Sequence, residues 1–150
     1  MTDAGNKAYL GWVLKIGKVE YERSLKWQRS LVKLRREGMA RDTILLVEHP
    51  PVVTVGKDGH KENYDSLECK PIYIERGGDV TYHGPGQLVV YFIFNLARRG
   101  RDIHDFMARI QKGIIETLGE YKIDARQDEE HTGVWIGDKK IASIGVAVKN

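Results

Sequence analysis

Cysteine is almost absent: Cys69 is the only one in 150 residues. A single thiol excludes an internal disulfide framework and fits a reducing compartment, so the cytoplasm is the expected location. Long apolar runs are missing as well. Nothing approaches the roughly eighteen residues of a membrane span, and residues 1–6 (MTDAGN) are short and polar with no apolar signal region, so no membrane partner is expected. A large charge excess is also lacking. Lys and Arg number 24 against 21 Asp and Glu, a net charge of +3, which does not call for nucleic acid. Internal repeats, low-complexity tracts and linkers are missing. So is a Walker-type glycine–lysine–serine/threonine loop, and no metal or cofactor is expected.

The rest is ordinary for a globular chain: 41% of residues are hydrophobic and 30% charged. The length suits one domain over residues 1–150 with a real core. Residues 9–18 (YLGWVLKIGK) alternate enough to form a first strand. Residues 19–37 read as a helix, with Tyr21, Leu25, Leu31, Val32 and Leu34 on its apolar stripe. Arg23, Lys26, Arg29, Lys33, Arg35 and Arg36 form its wet face, and Gly38 is the stop. A charge run on a helix is usually just a solvated face, and that is the reading here, although the face also has the charge to meet an acidic partner. Residues 43–48 (TILLVE) are a core strand broken by Pro50 and Pro51, neither of which can donate a ladder hydrogen bond. His49 is held extended before proline and reads as structural. Strands are expected again at residues 52–55 and 71–75.

After a strand at residues 88–94, Asp102 is the predicted N-cap of a helix with Asp105 in its first turn. Ile103, Phe106, Met107, Ile110, Ile114 and Leu118 recur at helical spacing as core, and Gly119 is the expected end. A short strand is expected at residues 123–126. A hairpin should follow, pairing residues 133–136 with 140–148 around Gly137–Asp138. The order predicts an α+β fold, a mixed and mostly antiparallel sheet with helices packed on one side.

The densest local signal is residues 76–87, RGGDVTYHGPGQ, followed at once by the apolar strand. Four glycines in twelve residues permit positive φ and close approach of a ligand to the backbone. The loop is anchored by a buried strand, a good place for a binding site; the composition is equally that of a double turn between strands. Tyr82 and His83 sit inside this permissive segment, so an aromatic and a polar group are presented from a tight loop. Arg76, if buried, needs a partner: Asp79 or a main-chain carbonyl.

RGGDVTYHGPGQ resembles the signature of the lipoyl(octanoyl) transferases, which move an octanoyl group from acyl carrier protein to a lysine of lipoyl domains. KKIASIG, residues 139–145, resembles that family's lysine-bearing strand. LLVEHPPVVTVGK (45–57) and HTGVWIGDKK (131–140) add support. The resemblance implies the biotin/lipoyl protein ligase fold and an acyltransferase of lipoate biosynthesis. It implies as partners acyl carrier protein, the donor, and lipoyl domains or the glycine cleavage H protein, the acceptors. Such partners are acidic, and a basic rim would speed their encounter. Lys140 is implied as the catalytic lysine that lowers the pKa of a nucleophilic cysteine, while Lys139 falls on the other face of the strand. Arg76, Gly77, Gly78, Asp79, Val80, Thr81, Tyr82 and His83 are implied to bind the acyl substrate, together with Ser143, Ile144 and Gly145.

One departure matters. The family's nucleophile follows the KKIASIG strand in a Pro-Cys-Gly context, and residue 150 comes before it. The catalytic domain is therefore expected to be incomplete at its C-terminal side, with the cysteine in a missing segment or a second chain. Cys69, in SLECKPIY, has the wrong context and reads as structural. Two alternatives stay open: an ATP-dependent lipoate or biotin ligase of the same fold, and a non-catalytic module binding acyl groups or lipoyl domains.

Overall fold

The computed structural model describes residues 10–66, 70–98, 100–128 and 132–149. Contacts group into two units, residues 1–95 and 96–150.

In the first unit, β1 (Gly11–Lys18) leads into α1 (Tyr21–Arg36), which returns the chain to β2 (Asp42–Glu48), parallel to β1. β6 (Val89–Ile93) pairs antiparallel on the other side of β2, with Leu45 opposite Tyr91 and Leu46 opposite Val90. Alternation along β2 buries Thr43, Leu45 and Val47 on one face. Leu45 and Val47 join Val19 and Ile93 in the core, covered by Trp27, Leu31 and Val32 of α1 and by Val89 and Tyr91. Each such aliphatic side chain contributes about 1.5–3 kcal/mol when fully buried. Gly38, at φ +74°, turns the chain out of α1, and the Met39 and Ala40 N–H groups both donate to the Leu34 carbonyl. Asp42 then ties strand to helix: its buried carboxylate accepts from Arg35 Nε at 2.7 Å and from the Asn95 N–H at 3.1 Å.

Pro50 and Pro51 end that ladder, and the chain begins a second sheet. β3 (Val52–Val55) lies between β4 (Ile72–Tyr73), which is parallel to it, and β5 (Val80–His83), which is antiparallel. Val52 faces His83 and Thr54 faces Thr81 across this pairing.

In the second unit, α2 (Ile103–Glu120) precedes a three-stranded antiparallel sheet of β7 (Arg126–Gln127), β8 (Val134–Ile136) and β9 (Lys139–Ala142). Asp102 caps α2 as expected, its Oδ1 accepting from the His104 and Asp105 N–H groups at 2.8 and 3.0 Å. Asp102→Ala should cost about 1 kcal/mol, and Asp102→Asn much less because Asn caps nearly as well. Urea unfolding of the two variants checks this.

Three expectations change in detail. The helix runs past Gly119 to Glu120, and the left-handed residue is Lys122 at φ +59°, where the Ile123 N–H reaches back to the Leu118 carbonyl. The α2 stripe is half-buried and contains no fully buried residue. β9 stops at Ala142, so Ser143, Ile144 and Gly145 follow the strand in irregular backbone. The architecture is α+β with mostly antiparallel pairing, but its strands are divided among three small sheets: two prolines separate β2 from β3 and a Gly-Pro-Gly turn separates β5 from β6, while β7, β8 and β9 pair among themselves. No helix among the described residues is long and apolar enough to cross a membrane.

Candidate functional site

The segment around Arg76 is built by lacing two loops together. The Gly56, Lys57 and Asp58 N–H groups donate to the carbonyls of Asp79, Arg76 and Gly78 at 3.0, 2.9 and 3.3 Å, and the Gly78 N–H donates to the Asp58 carboxylate at 2.7 Å. Gly78 sits at φ +83°, which an L side chain tolerates poorly. Gly56 is needed for a different reason: a Cβ there would stand 2.1 Å from the Gly78 carbonyl oxygen and 2.8 Å from Arg76 Nη1.

Lacing turns the Arg76 guanidinium inward. Its Nη2 donates to Thr81 Oγ1 at 2.8 Å, Thr54 Oγ1 at 3.2 Å and the Thr54 carbonyl at 3.3 Å, while Nη1 donates to the Gly77 carbonyl at 3.1 Å. These acceptors are all neutral, and burial lowers its pKa from the ordinary value. Of the two partners expected for Arg76, the main-chain carbonyls are the ones bonded. The Asp79 carboxylate accepts instead from the His60 N–H at 2.9 Å and from Asn63 Nδ2, and these bonds, the His60 N–H first, hold it below the usual carboxylate range.

β5 then delivers His83. Gly84-Pro85-Gly86-Gln87 closes as a tight turn, with Gly86 at φ +80° and the Gln87 N–H donating to the Gly84 carbonyl at 3.1 Å. The turn folds Gln87 back so that its Oε1 accepts from His83 Nδ1 at 2.6 Å. That bond fixes the hydrogen on Nδ1 and leaves Nε2 of the neutral ring as an acceptor. Two rings stand against His83, and a third, Tyr91, stands behind His49. Tyr21, the first residue of α1, stacks on His83 at 5.9 Å, and His49 meets it edge-on at 5.8 Å. His49 is fully buried. Its Nδ1 donates to the Val19 carbonyl at 2.7 Å, and its Nε2 is hydrogen-bonded to the Tyr91 hydroxyl at 2.9 Å. Burial pushes the Tyr91 phenol well up, and the Tyr21 phenol up as well.

The result is a wall of packed aromatic and imidazole rings, with Tyr21 and His49 buried and His83 and Tyr91 half-buried, and one guanidinium nearby. Tyr21, His49, Tyr91 and Gln87 are additions to the residues expected from sequence. By sequence pattern Tyr21 falls on the helix stripe, His49 at a strand end and Tyr91 within an apolar run. The available signal was a hydroxyl or imidazole inside each of three otherwise apolar segments. Gly77, Val80 and Thr81 are half-buried beside Arg76 and Asp79, as expected of one loop. Tyr82 is on the face of β5 opposite His83, 57% exposed, with its ring where a Gly84 Cβ would be.

Burial is the largest influence on His83, followed on the same side by His49 and Arg76; the Gln87 bond opposes them, and the net pKa is below 6.5. The unfolded chain therefore binds a proton that the folded chain resists. Stability contributed by His83 is full above about pH 6.5 and falls as pH drops toward the depressed folded value. His83→Gln should flatten this acid-side loss in urea titrations between about pH 7.5 and 5. An NMR titration should place the wild-type midpoint below 6.5.

Lys140 belongs to the second unit. It is exposed, opposite Trp135 in the β8–β9 register, with Nζ 4.9 Å from the Trp135 ring centroid. Its stem fills the space beside Gly133, where a Cβ would come within 3.1 Å of Lys140 Cε and 2.6 Å of the Ala142 carbonyl oxygen. Gln111 of α2 holds this corner by donating to the Gly133 carbonyl at 2.9 Å. Lys139 faces Ile136 in the register. Ser143 and Gly145 are exposed and Ile144 half-buried. Cys69 lies outside the described residues.

Residues 20–150 match the family model of the lipoyl protein ligase A/B catalytic domain. The chain is 45% identical over 139 residues to an octanoyltransferase of Solibacter usitatus, covering 88% of this chain and 63% of that protein. It is 42% identical over 134 residues to an octanoyltransferase of Geobacter metallireducens, covering 89% and 63%. Thus it spans less than two thirds of the length of these curated relatives. Among solved structures, lipoate-protein ligase A bound with ATP superposes with a TM-score of 0.63 at 16% identity, over 87% of this chain and 58% of that one, a likeness of fold. The resemblance in RGGDVTYHGPGQ and KKIASIG and the ligase-like α+β architecture agree with these matches, and the chain belongs to the lipoyl protein ligase A/B catalytic domain family.

Proposed function

We propose that this chain carries the acyl-binding part of an octanoyltransferase. It takes an octanoyl or lipoyl group from acyl carrier protein and passes it to a lysine of a lipoyl domain or glycine cleavage H protein, in cytoplasmic lipoate biosynthesis. The observation that carries this reading is the ring wall of Tyr21, His49, His83 and Tyr91 beside a neutral-bonded Arg76. An eight-carbon chain has no charge to recognise, so burial against such a wall must hold it, at about 0.8 kcal/mol per CH₂. His83 Nε2 and the Arg76 loop supply polarity for the thioester end.

In this reading residues 1–150 form a single catalytic domain that is completed by a Pro-Cys-Gly segment outside them or by a second chain. The cysteine thiolate attacks the thioester carbonyl, the carrier's thiolate leaves, and a new thioester forms. The acceptor lysine amine then attacks that thioester, an amide forms, and the cysteine leaves as thiolate. Lys140 favours the thiolate and handles the amine's proton. The Arg76 loop and His83 bind the acyl substrate, and Ser143, Ile144 and Gly145 belong to a second substrate-binding segment able to offer backbone N–H groups.

The test supplies octanoyl-acyl carrier protein and an unmodified lipoyl domain to a protein carrying these residues and the Pro-Cys-Gly segment. Mass spectrometry should find the lipoyl domain octanoylated without ATP. Modification only from free octanoate plus ATP would make the protein a ligase, and binding without turnover would make it a module. The 150 residues alone should form no hydroxylamine-sensitive adduct. An adduct that disappears in Cys69→Ser would make Cys69 the nucleophile.

A further inference from the structure

The two helices treat their surface cations differently. On α2, Arg109 pairs with Asp105 at 2.9 Å and Lys112 with Glu116 at 3.8 Å, both at i,i+4, the usual form of a solvated helix. On α1, Lys26, Arg29, Lys33 and Arg36 follow at spacings of three, four and three, so they lie along one exposed stripe. Glu22 is the only acid in the helix, and among the described residues none of the four cations forms an ion pair. Arg35, the helix's paired base, is taken by Asp42 on another side. Attraction to the helix C-terminus explains bases in the last turn, and so accounts for Lys33 and Arg36. It does not account for Lys26 and Arg29, which lie too far back.

Helix α1 begins at the candidate site. Tyr21, the first residue of α1, is the ring stacked on His83. At ~1.5 Å per residue, Lys26 to Arg36 lie about 7–22 Å further along the helix axis, a span suited to a protein that docks on α1 and sends a flexible arm to the ring wall.

We propose that the exposed face of α1 is the docking surface for an acidic protein that carries the acyl group on a flexible arm. This rests on the acyl-transfer reading for what the arm delivers. The surface itself is defined by unpaired charge, which raises encounter rates and loses force as salt screens it.

The probe is acyl carrier protein without its acyl group, whose binding needs no acyl pocket, titrated onto this chain by fluorescence anisotropy. Binding should weaken about tenfold between roughly 20 and 300 mM salt. K26E/R29E/K33E/R36E should weaken it at least about tenfold at low salt with unchanged circular dichroism, while R109E/K112E on α2 should change it little. Octanoyl-pantetheine, which carries no protein, should bind wild type and the α1 variant alike. No binding of the carrier protein, equal binding by the α1 variant, or an equal loss from the α2 variant overturns the docking surface. Loss of lipoyl-domain binding alone would assign the stripe to the acceptor and also overturns it. Failure of octanoyl-pantetheine to bind wild type counts against the acyl pocket and leaves the carrier result to be judged separately.

Discussion

Gly56→Ala is expected to destabilise the first unit by about 3 kcal/mol or more, a large share of a typical domain's 5–15 kcal/mol. The new methyl would stand 2.1 Å from the Gly78 carbonyl oxygen, 2.8 Å from Arg76 Nη1 and 3.0 Å from the Arg76 carbonyl oxygen. Two of those obstacles are backbone, held in place by hydrogen bonds from Gly56, Lys57 and Asp58 across to residues 76–79. Relief therefore requires unlacing the two loops and releasing the Arg76 guanidinium from Thr54 and Thr81. Gly78→Ala is the informative comparison. At Gly78 the nearest obstacle is 3.5 Å away, and the penalty is the φ of +83° alone, about 1–2 kcal/mol. Urea midpoints should rank wild type, Gly78→Ala and Gly56→Ala in that order. A Gly56→Ala protein as stable as Gly78→Ala would mean that the loops are not packed together.

Lys140→Met is expected to reduce octanoyl transfer by about 10²- to 10⁴-fold in a protein that includes the nucleophilic cysteine. An ammonium about 4 Å from a thiolate, at an effective dielectric of about 20, gains up to ~4 kcal/mol before desolvation. A third of that lowers the thiol pKa by about one unit. Loss of the charge should therefore move the pH profile of thiol alkylation upward by about one unit, an effect that simple loosening of the β8–β9 hairpin would not give. Lys140→Arg should restore part of the shift, because the charge returns. Lys139→Met is the control, since its side chain leaves the strand on the opposite face. Unchanged transfer and an unchanged thiol profile in Lys140→Met would remove Lys140 from the mechanism.

Local chemistry was legible in the sequence, and chemistry made by tertiary pairing was not. The Asp102 cap, the Gly38 stop and the proline break after His49 all depend on neighbours in the chain, and all three are present. The left-handed glycines of the Arg76 loop were expected, and Gly78 and Gly86 supply them. Gly56 could not be found in this way, because its constraint is a carbonyl 22 positions later. The end of α2 was misplaced for a related reason: Gly119 is permissive but not required, and the left-handed turn falls on Lys122, where the closing hydrogen bond forms. The ring wall was only half visible. His83 stood out in its glycine-rich loop, whereas His49 and Tyr91 meet only because β2 pairs with β6, and Tyr21 joins them only because α1 begins there. Gln87 has no evident role in the linear motif, and gains one only where the Gly-Pro-Gly turn brings its amide onto His83.

The most direct test of an acyl site at this wall is isotope-filtered NMR on the 150-residue chain with labelled octanoyl-pantetheine. Octanoyl methylene protons should show contacts to the rings of Tyr21, His83 and Tyr91, and Tyr91→Ala should weaken binding while His104→Ala, on the exposed first turn of α2, should not. An octanoyl chain that binds without contact to those three rings, or does not bind at all, would contradict it.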